Sequence, residues 1–246
     1  MNAKLTVLAA TAVGLLFASE SRAQQETTSG SGTMTPPEYQ PVTTEQHAGG
    51  NRLAAPKRAF ELTLDAGYTQ GFGSLQSGVG FPSVAGAGVG FDLGLGYRVD
   101  PHWGVALTGQ YYELDAKCAS GTRGVTGGIA ASYHFLPFTR IDPWVQLGTG
   151  YRLLWETYDG PTPTLLSHGF QFAKLTAGVD FRLSPEVAIA PVVGADINVF
   201  FWQHDGGNTT ISDPRASTFI FAGVQGRFDM GGTRETPGGT QAAAHR

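Results

Sequence analysis

From residue 60 to residue 228 the chain alternates with period two, and its polar side is built largely of glycine. In GFDLGLGYRV (Gly90–Val99), one parity carries Phe91, Leu93, Leu95, Tyr97 and Val99, and the other Gly90, Asp92, Gly94, Gly96 and Arg98. Successive residues of a strand point to opposite faces of its sheet. A bulky apolar face opposed by glycine and charges of both signs calls for an apolar exterior and a cramped polar interior.

The same pattern recurs in eight segments: Phe60–Gln70, Gly88–Arg98, Trp103–Tyr112, Val125–Phe135, Trp144–Glu156, Phe170–Leu183, Val187–Trp202 and Thr218–Phe228. The apolar parity of these segments carries no charge. The other parity carries Glu61, Asp65, Asp92, Glu156, Asp180 and Asp196 with Arg98, Arg152, Lys174, Arg182 and Arg227, six acids and five bases. An eight-stranded barrel has an interior just wide enough for side chains to fill. The bulky face must therefore point out, where ring closure has already paired every backbone group and lipid can be the solvent. The glycines of the inner parity are expected to make room for the Arg and Lys stems. A soluble ligand-binding barrel predicts the reverse polarity, with Lys and Glu outward at mid-strand. The fold class is thus all-β, an eight-stranded antiparallel up-and-down transmembrane β-barrel.

Connections support that layout. Long segments (Gly71–Ala87, Glu113–Gly124, Thr157–Gly169, His204–Ser217) alternate with short turns around VDPH, LPFTRID and SPE, each holding a proline suited to tight reversal. Long loops at one end and short turns at the other are the outer-membrane arrangement. Aromatics gather at both ends as interfacial girdles would. Phe60, Tyr97, Trp103, Tyr133, Trp144 and Phe181 lie near the short turns; Tyr68, Tyr111, Trp155 and Trp202 lie near the long loops.

The flanks read differently. Residues 1–23 have the form of a secretory signal peptide: Lys4, an apolar core Leu5–Ala18, and small residues before a cut after Ala23. That core is too short for a membrane helix, which needs about 20 residues. Residues 24–58, rich in Thr, Ser, Gly and Pro, predict a disordered periplasmic lead-in. The barrel then occupies 59–228, and residues 229–246 form a disordered polar tail. Charged residues are only 15% of the 246, and Lys+Arg 16 against Asp+Glu 20 offers no basic face for nucleic acid. The lone Cys118 excludes a disulfide within the chain and a paired-cysteine metal site.

From Ala59 to Phe228 the chain resembles the eight-stranded outer-membrane barrels typified by the OmpA transmembrane domain and its OmpX/Ail relatives. Its last strand, FIFAGVQGRF, is similar to their closing strand. The resemblance implies a place in the cell outer membrane, with outer-membrane lipids and lipopolysaccharide as surroundings. It also implies that the barrel-assembly machinery reads the terminal aromatic, here Phe228, although a polar tail follows it. The tail is too short for a peptidoglycan-binding domain.

Inward charges survive in a narrow lumen when they pair, so the eleven above are expected to form a plug. A symmetric hairpin about Pro185 sets Lys174 opposite Asp196 and predicts an ion pair there. Pro191, inside a strand of a closed ring, predicts a bulge. Ser132 and His134 share an inward face, but their Ser-x-His order does not match the deacylase arrangement. No residue set meets the nucleophile–base requirement, and no catalytic residue, metal ligand or cofactor is expected. The functional expectation is a structural or surface-interaction barrel whose long loops could meet an extracellular partner. A small-solute channel and a lipid A-modifying enzyme are the alternatives.

Overall fold

The computed structural model describes residues 53–117, 119–160 and 164–234. The expected signal peptide, most of the lead-in, Cys118 and residues 235–246 lie outside them. Eight long strands form the wall: β1 (Ala59–Gln76), β2 (Ala85–Arg98), β3 (Trp103–Ala116), β4 (Gly121–His134), β5 (Ile141–Thr157), β6 (Leu165–Arg182), β7 (Val187–His204) and β8 (Ala216–Met230). Each pairs antiparallel with the next, and β8 pairs with β1 from Phe60↔Met230 to Gly73↔Ser217, which closes the ring. Every strand therefore has two neighbours, the condition for crossing a bilayer without stranded backbone groups.

The outer wall is apolar. Leu64, Phe91, Leu95, Leu107, Ile129, Leu147, Leu175 and Val193 are all exposed there, on the parity expected from the sequence. Such a surface in water would far exceed the patches that soluble monomers expose. The charge-free band is bounded towards the loops: Glu113, Asp115 and Arg123 are exposed on the strand stretches that continue beyond Tyr111 and Val125.

Those continuations revise the expected lengths. The strands run 14 to 18 residues, more than the roughly 9–11 that a tilted crossing requires. The long loops shrink accordingly. Residues 71–87 are mostly strand, with the pair Val79–Gly80 and one helical turn, Phe81–Val84, at the tip. From the sequence these stretches read as the connections between strands, yet ring pairing continues through them beyond the apolar band.

Three details depart from the simple pattern. Pro191 causes no bulge: β8 keeps one register through Val224↔Pro191. On the β6 side, Gly178↔Val192 and Phe181↔Ile189 share one register across the proline. The missing donor is absorbed as a local lapse in the ladder. Bulges fall instead in β6 between Gln171 and Ala173, and opposite the His168/Gly169 step, where Phe201 is the extra residue of β7. The first turns Gln171 and Ser167 inward on odd numbers while Lys174, Thr176 and Asp180 remain inward on even ones; the second lets Trp202 follow inward Phe200 to the outside.

The inner glycines, too, have a different task from the one expected. A Cβ on Gly67 would lie 2.3 Å from the Ala222 carbonyl oxygen, and one on Gly128 2.3 Å from that of Thr149. Tight curvature brings adjoining backbones too close for side chains. At Gly124, Gly71 and Gly178 the space is taken by the rings of Tyr112, Phe81 and Trp144. Among the described glycines, an Arg or Lys side chain is one of the nearest neighbours of such a Cβ only at Gly86, against Lys117 at the rim.

Leu147→Arg places a cation in mid-band and should destabilise the folded barrel by about 2–4 kcal/mol. Urea unfolding in lipid vesicles, read by gel mobility, measures the loss.

Candidate functional site: the filled lumen

The inner face holds three polar layers and an apolar cap. At the short-turn end, Arg98 grips Glu61 through Nε, at 2.8 Å, and Nη2. Arg227 reaches the same Glu61 oxygen at 3.1 Å and Asp180 at 3.0 Å. Arg182 pairs with Asp229 at 2.7 Å, and both are fully buried. Trp144 donates its indole N–H to Asp180 at 2.8 Å, with the Arg227 guanidinium 5.2 Å from its ring centre.

His134 lies among these groups. Its Nδ1 is 2.8 Å from Asp142, and its Nε2 is 3.2 Å from Arg98 and 3.3 Å from Arg227. Guanidinium nitrogens only donate, so Nε2 accepts and the ring proton sits on Nδ1, donated to Asp142. His134, Asp142 and Asp180 keep ligand-type atoms within 4.8 Å of one another. Each is already committed to Arg98, Arg227, Trp144 or the Leu136 amide, which makes this an ion-pair knot rather than a cation cradle.

In the middle layer Asp65 and Asp92 face each other across β1 and β2. Lys174 pairs with Asp92 at 3.0 Å, Gln110 donates to Asp92 and Gln225 to Asp65. The expected Lys174–Asp196 pair does not form, although the two residues are opposite in register. Lys174 crosses the lumen to the far wall, because Asp196 is held by Arg152.

Arg152 forms the upper layer. It meets Asp196 through two nitrogens at 3.2 and 2.8 Å, Thr126 at 2.8 Å and Gln110 at 2.8 Å. Gln171, Asn198 and the Phe219 amide complete the Asp196 shell. The guanidinium lies 4.2 Å from the Phe219 ring centre and 5.1 Å from that of Tyr112, within cation–π range. Above it Tyr112, Leu114, Leu154, Phe200 and Phe219 close together on the axis, with Phe81 from the helical turn buried against Phe219 at 4.7 Å. Glu156 stands higher, accepting from Tyr158.

The structure thus places all eleven sequence-derived charges inside the wall. It adds Asp142 and Asp229, for eight acids against five bases. Asp229, which the sequence put with the polar tail, follows the inward parity of Arg227 and Gln225 in β8, and that parity was the available signal. Trp144 is the correction among the girdle residues. It is 1% exposed and inside the barrel, and its parity, shared with Gln146 and Arg152, already placed it there. The other nine are on the outer face: Phe60, Tyr68, Tyr97, Trp103, Tyr111, Phe181 and Trp202 exposed, Tyr133 and Trp155 half-buried. Phe228 is exposed on the same face as Phe60.

An inverted, ion-packed barrel of eight strands belongs to the class of transmembrane β-barrels of the outer-membrane type. No family model and no curated protein matches the chain. Among solved structures it is similar to Neisserial surface protein A, at 18% identity over 68% of this chain and 95% of that one, with a TM-score of 0.46. It is similar also to the outer membrane protein OprG from Pseudomonas aeruginosa (12%, 72% and 99%, 0.42). The attachment invasion locus protein Ail of Yersinia pestis is a third (13%, 70% and 99%, 0.40).

Four double-mutant cycles test the pairing. Lys174→Met strands Asp92 and should cost about 3–5 kcal/mol, and adding Asp92→Asn should recover part of that loss whereas Asp196→Asn should not. Arg152→Met should show the opposite dependence, coupling to Asp196 and not to Asp92. Urea midpoints in detergent give all four couplings.

Proposed function

We propose that this chain is a small integral protein of the cell outer membrane, with its short turns in the periplasm, that acts through its surfaces rather than through its lumen. The carrying observation is the column of paired charges sealed above by Tyr112, Phe200, Phe219 and Phe81. An ion entering from the loop end meets apolar side chains first, then groups already bonded to one another. Breaking any pair to let it pass strands a buried charge, at a cost of about 3–5 kcal/mol. This favours a structural and surface-interaction role over a small-solute channel.

The rim supplies the surface. Glu113, Asp115, Lys117, Arg123, Asp213 and Arg215 are exposed on the strand ends and connections beyond the apolar band, where an extracellular partner or lipopolysaccharide headgroups would meet them. Phe228, at the membrane-facing end of the closing strand, is the residue for the barrel-assembly machinery to read. A lipid A-modifying enzyme is disfavoured by the histidine best placed to be a base. His134 is bonded to Asp142, Arg98 and Arg227 inside the wall, away from lipid.

Purified full-length protein in planar bilayers should give no steady openings at neutral pH, and fractionation should place it in the outer membrane as a heat-modifiable band. Regular stepwise conductance would overturn the surface reading. A changed lipid A mass spectrum on deleting the gene would replace it with the enzymatic one.

A further inference from the structure

The basal layer is the most highly charged part of the lumen, yet Arg98, His134, Asp142 and Arg182 are all 0% exposed at the open end of a barrel. The short turns 99–102 and 183–186 contribute two carbonyls, Pro101 to Arg98 and Pro185 to Arg182, and the His102 ring, whose Nδ1 lies 2.7 Å from the His134 carbonyl oxygen. A further cover is the chain that precedes β1. Ala55 and Pro56 are buried, and the Ala55 amide donates to the Pro137 carbonyl at 2.7 Å. Lys57 exchanges backbone hydrogen bonds with Thr233 at 2.8 and 2.9 Å.

Topology decides where this segment runs. Pro137 belongs to the β4–β5 turn, and in a ring of eight strands that turn lies nearly opposite β1. Following the rim from β1 means passing more than three strand spacings, about 17 Å at 4.8 Å each. The four residues from Ala59 back to Ala55 reach at most about 14 Å. They must cross the mouth. Arg58, at φ 56° and the only described non-glycine residue with positive φ, makes the bend that directs them there.

We propose that Leu53–Arg58 is a lid over the basal ion knot, held at one edge by Thr233 and at the other by Pro137, and that lifting it opens this compartment to small solutes from the short-turn side. That this side is periplasmic rests on the functional reading above; the lid itself does not. Its backbone attachments at the two edges lie outside the ladders of the ring, so this cover can come away while the ring stays intact. The rim of the opposite mouth differs: Phe81 there is buried in a continuous apolar cluster.

Trp144 reports on the compartment, because it is buried there while Trp103, Trp155 and Trp202 face outward. In a full-length Trp103→Phe/Trp155→Phe/Trp202→Phe parent in detergent, acrylamide quenching of fluorescence measures access to Trp144 alone. Ala55→Glu puts a carboxylate where there is no room for one, and should raise the quenching constant severalfold while the heat-modifiable band is retained; Phe81→Ala should leave it unchanged. Unchanged quenching in folded Ala55→Glu, or an equal rise in Phe81→Ala, overturns the lid.

Should Ala55→Glu fail to fold, the pair Ala55→Cys/Pro137→Cys in a Cys118→Ser parent provides the second reading. Oxidation should lower quenching below that of the reduced form, and equal values in the two states overturn the proposal. Both readings are taken in micelles, so a failure of membrane placement would appear in fractionation and not here.

Discussion

Everything in this molecule follows from pairing the backbone of eight strands with itself in a closed ring. Closure removes every unpaired strand edge, and only then can the outer wall dispense with water. The same closure limits the interior, since eight strands leave a bore that side chains just fill. What is bulky and apolar goes outside because lipid accepts it there. What goes inside must either be small, as at Gly67 and Gly128, or bring its own partner. The inverted polarity and the ion pairs are two consequences of one geometric limit.

The first consequence was legible in the sequence and the second only partly. Parity is local, so alternation alone sorted Leu93, Leu147 and Val179 from Asp92, Arg152 and Asp180. Trp144 stands near a turn, where a girdle residue would be expected, but its own parity turns it inward. Phe172 and Phe201 escape any alternation rule, because a bulge inserts a residue and exchanges the faces beyond it. The partner of Lys174 is harder still. Register places Asp196 beside it, but a long side chain in a narrow bore can reach the opposite wall. The choice went to Asp92 because Arg152 had already claimed Asp196 with a two-nitrogen grip, a stronger arrangement than a point charge offers. That competition depends on four strands at once and is invisible in any one of them.

The column also explains which polar residues are needed between the charges. Gln110 donates to Asp92 and accepts from Arg152; Gln225 donates to Asp65 and accepts from Arg227. An amide can face an acid with one end and a base with the other, so each glutamine joins two layers without adding charge. With eight acids to five bases, the interior would be frustrated if each layer had to balance alone. Amide links spread the surplus negative charge along the axis, and Trp144 and His134 supply further donors where guanidiniums run short.

The direct attraction within such a column is strongest while water is kept out. Water entering between Arg152 and Asp196 would raise the local dielectric and weaken the attraction that holds the layer together, and each loosened pair would admit more. Dryness therefore has to be enforced at both ends, and the two ends do it by different means. At the loop-end mouth the wall itself turns apolar, Tyr112, Leu154, Phe200 and Phe219 filling the bore while Phe81, Val84 and Ile211 close over them from outside the ring. At the short-turn mouth the wall is charged to its last turn, with Arg98, Arg182 and Asp229 at the strand ends. There the seal has to come from elsewhere in the chain, and Ala55 and Pro56, small or lacking an N–H, are residues that can lie over charges without competing for their partners.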